Sequence, residues 1–97
     1  MKISKRLWVD KGVKWNRFIR WQVEKQHCYK ARAYFICTSP HVSWLFEIVE
    51  AKQLSAHYKD CYVIGIMPTK AKALLYVKEL IDAIYNTKTL EYEHLNT

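Results

Sequence analysis

The run from Cys61 to Tyr85 constrains this chain more than any other stretch. It opens Cys-Tyr-Val-Ile-Gly-Ile-Met, apolar on both faces of an extended segment, as in a strand covered on both sides or nearly so. Pro68 ends the strand. Thr69 can cap the next element, because its hydroxyl can accept from a backbone N–H of the first helical turn. Leu74, Val77, Leu80, Ile81 and Ile84 then recur at helical spacing, with Lys72, Lys78, Glu79 and Asp82 off that stripe. The expected core is Val63, Ile64, Ile66, Leu74, Val77, Ile81 and Ile84.

Upstream the signals are weaker. Ile3, Leu7 and Val9 mark an extended segment interrupted by Lys5, and Asp10-Lys11-Gly12 reads as a hairpin-type turn in which Gly12 can take positive φ. Trp15–Val23 fits two periods. Trp15, Ile19, Trp21 and Val23 alternate with polar residues as in a strand, whereas Trp15, Phe18, Ile19 and Val23 fit one helical face. The tryptophans, the β-branched residues and the preceding turn favour the strand. Residues 24–30 read as a loop and 31–37 as a strand. Ser39-Pro40 is a helix-start signal, and Val42, Leu45, Phe46 and Val49 follow at helical spacing, which predicts a helix over 40–54. The competing reading makes 44–49 a strand with Trp44, Phe46 and Ile48 on one face.

Residues 55–60 form a polar link. Thr89–His94 reads as a short edge strand, or residues 87–97 as a frayed tail. The expected order is β-β-β-α-β-α over one α+β domain spanning 1–97. That order predicts a two-layer sandwich with a mixed sheet of about four or five strands and two helices chiefly on one face. A strand–helix–strand unit over 31–67 would make its two strands parallel, joined by a right-handed crossover.

Composition bounds the function. The chain has 97 residues, enough for one core, and 51% hydrophobic residues, which excludes a disordered chain. No apolar run approaches the roughly 20 residues of a membrane-spanning helix, and the first ten residues lack the apolar stretch of a secretory signal. Three cysteines at irregular spacing fit reduced thiols. The expected setting is cytoplasmic, away from the membrane.

Charge is unevenly distributed. Residues 1–33 hold ten Lys or Arg against Asp10 and Glu24, a net of +8; residues 34–97 hold six against seven acids, a net of −1. Such a field steers acidic partners, either protein or nucleic acid, although a lysine-rich surface also serves solubility alone. Cations and aromatics interleave within that third. The candidate nucleic-acid or anion-binding set is Lys5, Arg6, Trp8, Lys14, Arg17, Arg20, Lys25, Lys30 and Arg32. Trp15 and Trp21 share a face with Ile19 and Val23 and are expected to point inward. Trp8, opposite Leu7 and Val9, is the expected exposed ring.

Other constellations carry less. Cys37, His41, His57 and Cys61 could on paper hold zinc, but their spacing is poor, and parallel strands would put the two cysteines at opposite ends of the sheet. A nucleophilic Cys28, Cys37 or Cys61 lacks any surrounding signature. Cys37 and Cys61 sit inside apolar runs, where a thiol is inert, and Cys28, beside His27 in a basic loop expected to be exposed, is the best candidate for a reactive thiol. Lys70 and Lys72 open the last helix, where the macrodipole disfavours cations, but the preceding loop lacks a glycine-rich phosphate cradle. These readings imply no catalytic residues, no metal and no cofactor. They point to a small non-catalytic protein-interaction or assembly module, self-associating through a sheet edge or exposed aromatics. The alternative is RNA or single-stranded DNA binding through the basic first third.

Overall fold

The structure, a computed structural model, describes residues 1–38, 46–90 and 95. Among these residues it is a single α+β domain with one four-stranded mixed sheet and two helices. The elements are β1 (Lys2–Val9), α1 (Arg17–Gln26), β2 (Tyr34–Thr38), β3 (Phe46–Glu50), β4 (Tyr62–Met67) and α2 (Lys70–Tyr85), with 3-10 turns at Ala51–Gln53 and Ala56–Tyr58. The strands lie in the order β1-β4-β2-β3. β1 runs parallel to β4, and β2 runs antiparallel to both β4 and β3.

β4 is the central strand, and its sequence explains why. One extra residue, Ile64, bulges between Val63 and Gly65 where β2 steps directly from Cys37 to Ile36. Val63 and Ile66 therefore join one apolar cluster, and Ile64 and Met67 join the other. On the first side, Ile19 and Val23 of α1 pack with Phe35, Val49, Leu54 and Tyr58. On the second, Ala73, Tyr76, Val77, Leu80 and Ile84 of α2 pack with Ile36, Phe46 and Ile48. Leu90 and Leu95 belong to this second cluster; residues 91–94 and 96–97 lie outside the described residues.

Several expectations change. The two helices cover opposite faces of the sheet, so the layering is helix, sheet, helix, and the order is β-α-β-β-β-α. The segment expected to be a strand over 15–23 is α1. Asn16 decides this: its backbone is extended, and its side-chain oxygen accepts from Ile19 N–H at 2.9 Å. Such a cap satisfies a donor that no intrahelical carbonyl can reach. The helix expected over 40–54 is replaced at 46–50 by β3, paired residue for residue with β2, so the competing strand reading describes it. Ser39-Pro40 and Trp44 lie outside the described residues. The parallel partner of β4 is β1, not the strand ending at Cys37.

No glycine has positive φ. The turn after β1 is held instead by Asp10, whose Oδ1 accepts from Gly12 N–H at 2.9 Å and whose carbonyl accepts from Val13 N–H at 3.0 Å. It leads into α1, not into a hairpin. On α2 the buried stripe is rotated from the expected one. Ala73, Leu80 and Ile84 face the core, while Leu74 is 54% and Ile81 41% exposed. Thr69 caps α2 as expected, its Oγ1 accepting from Lys72 N–H at 3.2 Å.

Candidate binding surfaces on the two helical faces

With Ile19 and Val23 turned to the sheet, the other side of α1 presents Arg17, Phe18, Arg20, Trp21 and Lys25 to solvent. Phe18 and Trp21, three residues apart, stack with ring centroids 6.1 Å apart and planes 23° apart. Phe18 is 64% and Trp21 48% exposed, and neither belongs to an apolar cluster. The inward placement expected for Trp21 is therefore overturned, because that residue sits half a turn from Ile19 and Val23 on the helix. Trp15 does pack against the α1-side cluster, half-buried.

A cleft of about 410 Å³ opens at the C-terminal end of α1. Lys2, Arg20, Lys25, His27 and Lys59 line it, with Glu24 as the only carboxylate among the described lining residues. Arg20 Nε donates to Glu24 Oε1 at 2.8 Å. His27 ends the helix in the left-handed region, φ 51°, its N–H bonded to the Gln22 carbonyl. Its Nδ1 lies 2.6 Å from the Met1 amino nitrogen, which also donates to the Glu24 carbonyl. Burial lowers the pKa of both groups, and for His27 the positive charges of the amino group and Lys59 add to it. For the amino group the nearby Glu24 and Asp60 carboxylates work against burial, so the His27 shift alone reflects neighbouring cations.

The remaining candidate residues do not converge on this face. Trp8 is exposed, as expected, but it lies against α2, in a shallow cleft with Met67, Leu75 and Tyr76. Lys5 and Arg6 lie where β1 leaves its register with β4. β1 spends five residues from Ile3 to Trp8 while β4 spends two from Val63 to Gly65, and Arg6 N–H donates to Ser4 Oγ at 3.2 Å. Lys30 and Arg32 line a separate cleft with Glu50 and Lys52. Lys14 contributes its carbonyl to the Tyr29 hydroxyl at 2.9 Å, and its side chain is in solvent. So Arg17, Arg20 and Lys25 are brought together. Phe18, Trp21, Lys2, His27 and Lys59 join them, none of which sequence reasoning selected. The signal available for the first two was the cap at Asn16, which sets the helical phase.

α2 exposes a second apolar surface. Leu74, Ile81 and Tyr85 recur along one flank, with Lys78 and Asp82 beside them. At the start of α2, Lys72 Nζ lies 3.8 Å from Asp10 Oδ1, so a carboxylate from the β1 turn offsets the unfavourable dipole there.

Cys37 and Cys61 give no reactive centre. Because β2 and β4 are antiparallel, Cys37 and Cys61 fall at the same end of the sheet and in the same cluster, which removes the strand-end argument against their meeting. Both are buried free thiols. Burial pushes their pKa values up, Cys37 strongly, which keeps them protonated and poor as ligands or nucleophiles. Among the described residues no group of three or more potential metal ligands gathers; His41 lies outside them. No described helix is long and apolar enough to cross a membrane.

Comparison with protein-family models, with curated proteins and with solved structures finds no match.

Proposed function

We propose that this domain is a non-catalytic protein-interaction and assembly module whose partner is a second copy of itself, docked through the outward flank of α2. The carrying observation is the exposure of Leu74 and Ile81, two turns apart on that flank. Apolar side chains this large, aligned on one helical face, cost free energy in water and gain it when covered.

The charge beside them argues for a second copy. Lys78 and Asp82 have opposite signs. A two-fold axis crossing α2 between them sets each lysine against the other copy's aspartate. The same operation brings Leu74 close to Tyr85. Such a contact is isologous and closes on itself as a dimer. The basic face of α1 disfavours the same role, since pairing it would oppose Arg17, Arg20 and Lys25 with their own copies. The departure of β1 from register, with Lys5 and Arg6 in the irregular stretch, also blunts that sheet edge against strand addition.

The non-catalytic part of the reading is supported by the protonated, buried thiols. A cytoplasmic setting is supported by three free cysteines.

Sedimentation equilibrium tests the proposal. The mass should rise with concentration from the monomer towards twice its value. Ile81→Glu, at an exposed position, should hold it at the monomer value with the circular dichroism spectrum unchanged. A monomeric wild type at all concentrations contradicts the reading.

A further inference from the structure

We propose that the outward face of α1 and the cleft at its C-terminal end bind single-stranded nucleic acid, with bases stacking on Phe18 and Trp21 and phosphates lying against Lys25, Lys2 and Lys59. This surface is separate from the α2 flank and stands whether or not the chain self-associates.

Three observations converge. The aromatic pair lies outside both apolar clusters and is largely exposed. It is a preformed ring stack in solvent, and exposed ring faces are where unpaired bases stack without regard to sequence. Cations bracket it along the helix. Arg17 stands four residues before Trp21 and Lys25 four after, so each is one turn away on the same face.

Beyond Lys25 the cleft gathers Lys2, His27 and Lys59, while Glu24, the one carboxylate among its described lining residues, is held by Arg20. A polyanion lying along α1 would meet ring, cation and cation-lined cleft in succession. An acidic peptide would satisfy the cations but offers no base to stack. A duplex offers phosphates but keeps its base faces covered. A phosphate in the cleft would also oppose the cations that, after burial, lower the pKa of His27.

The geometry also excludes Trp8 from the site, since it lies on the α2 side of the sheet. That makes it an internal control.

The test is a fluorescence-anisotropy titration of the full chain with a labelled single-stranded oligonucleotide at physiological salt. Generic basic surfaces bind there at roughly 10⁻⁴–10⁻⁶ M; the platform should bring affinity to the tight end of that range or below. Trp21→Ala should weaken binding about 5- to 150-fold, the loss of one base–aromatic stack. Trp21→Leu, which keeps apolar bulk, should weaken it comparably, whereas Trp8→Ala should leave it unchanged. Replacing Lys25 and Lys59 together with Ala should flatten the dependence of log K on log salt by about 1.4, or roughly 0.7 per phosphate lost.

In the complex the pKa of His27, followed by NMR, should rise. Phe18→Ala provides a second reading of the platform if Trp21→Ala proves poorly folded. The proposal is overturned if duplex binds as tightly as single strand, if polyglutamate competes as well as the oligonucleotide, or if anionic phospholipid vesicles bind with the same dependence on Trp21. It is equally overturned if affinity is indifferent to both Trp21 and Phe18.

Discussion

At the scale of single residues, Gly65 sits under the ring of Tyr76. A Cβ at Gly65 would lie 2.9 Å from Tyr76 Cε1 and 3.3 Å from Ile36 Cδ1. Space, not backbone conformation, is what requires glycine here, since its φ is not positive. Gly65→Ala should therefore destabilise the domain by about 1–3 kcal/mol, the usual cost of overpacking. Combining it with Tyr76→Leu, which clears the space, should recover part of that in a double-mutant cycle on denaturation midpoints.

His27 makes a different prediction. In the folded chain its pKa lies below the ordinary 6.5, and that of the Met1 amino group below 8.0. In the window beneath each ordinary value the unfolded chain binds more protons, so stability rises with pH there and falls on acidification. The midpoint of urea unfolding should drop as pH is lowered from 8 through 6. His27→Asn tolerates the left-handed backbone and removes one titrating group. It should flatten the part of the curve below pH 6.5.

At the scale of elements, two capped helices hold the sheet from opposite sides. Asn16→Ala removes the side-chain acceptor of Ile19 N–H and should cost about 0.5–2 kcal/mol. Truncation should separate the two faces of the α2 layer. Ile64→Ala, in the fully buried bulge of β4, should cost about 2–5 kcal/mol. Ile81→Ala, on the exposed flank, should stay within about 0.5 kcal/mol of wild type.

The same physics decides which elements were legible in the sequence. β4 and α2 could be read because local signals agree there: Pro68 ends the strand, Thr69 caps the helix, and the apolar runs match one period each. α1 could not, because Trp15–Val23 satisfies both a two-residue and a helical repeat, and only the Asn16 cap separates them. β3 could not, because its hydrogen bonds are to β2, a non-local pairing that no window around Phe46 reports. The rotation of the α2 stripe was hidden for a related reason. Which of Leu74, Val77 and Ile81 faces inward depends on where α2 lies across β4, β2 and β3. Among the candidate site residues, Trp8 was legible as exposed from its place opposite Leu7 and Val9. Trp21 was not, since its exposure depends on the helical phase of α1.

At the scale of the molecule, the net charge of +7 is carried mainly by α1, β1 and their connections, while the α2 flank mixes signs. The two outer layers thus differ in chemistry: one is aromatic and cationic, the other apolar and electrically balanced. The first repels its own copy and the second can accept it, so assembly through α2 would leave both α1 faces open on the outside of a dimer. The most direct measurement is a ¹⁵N–¹H NMR dilution series. Concentration-dependent shifts should be confined to Leu74, Lys78, Ile81, Asp82 and Tyr85 and their neighbours, with Phe18, Trp21 and Lys25 stationary. Shifts centred on α1, or on the β3 edge, or none at any concentration, would contradict assembly through α2.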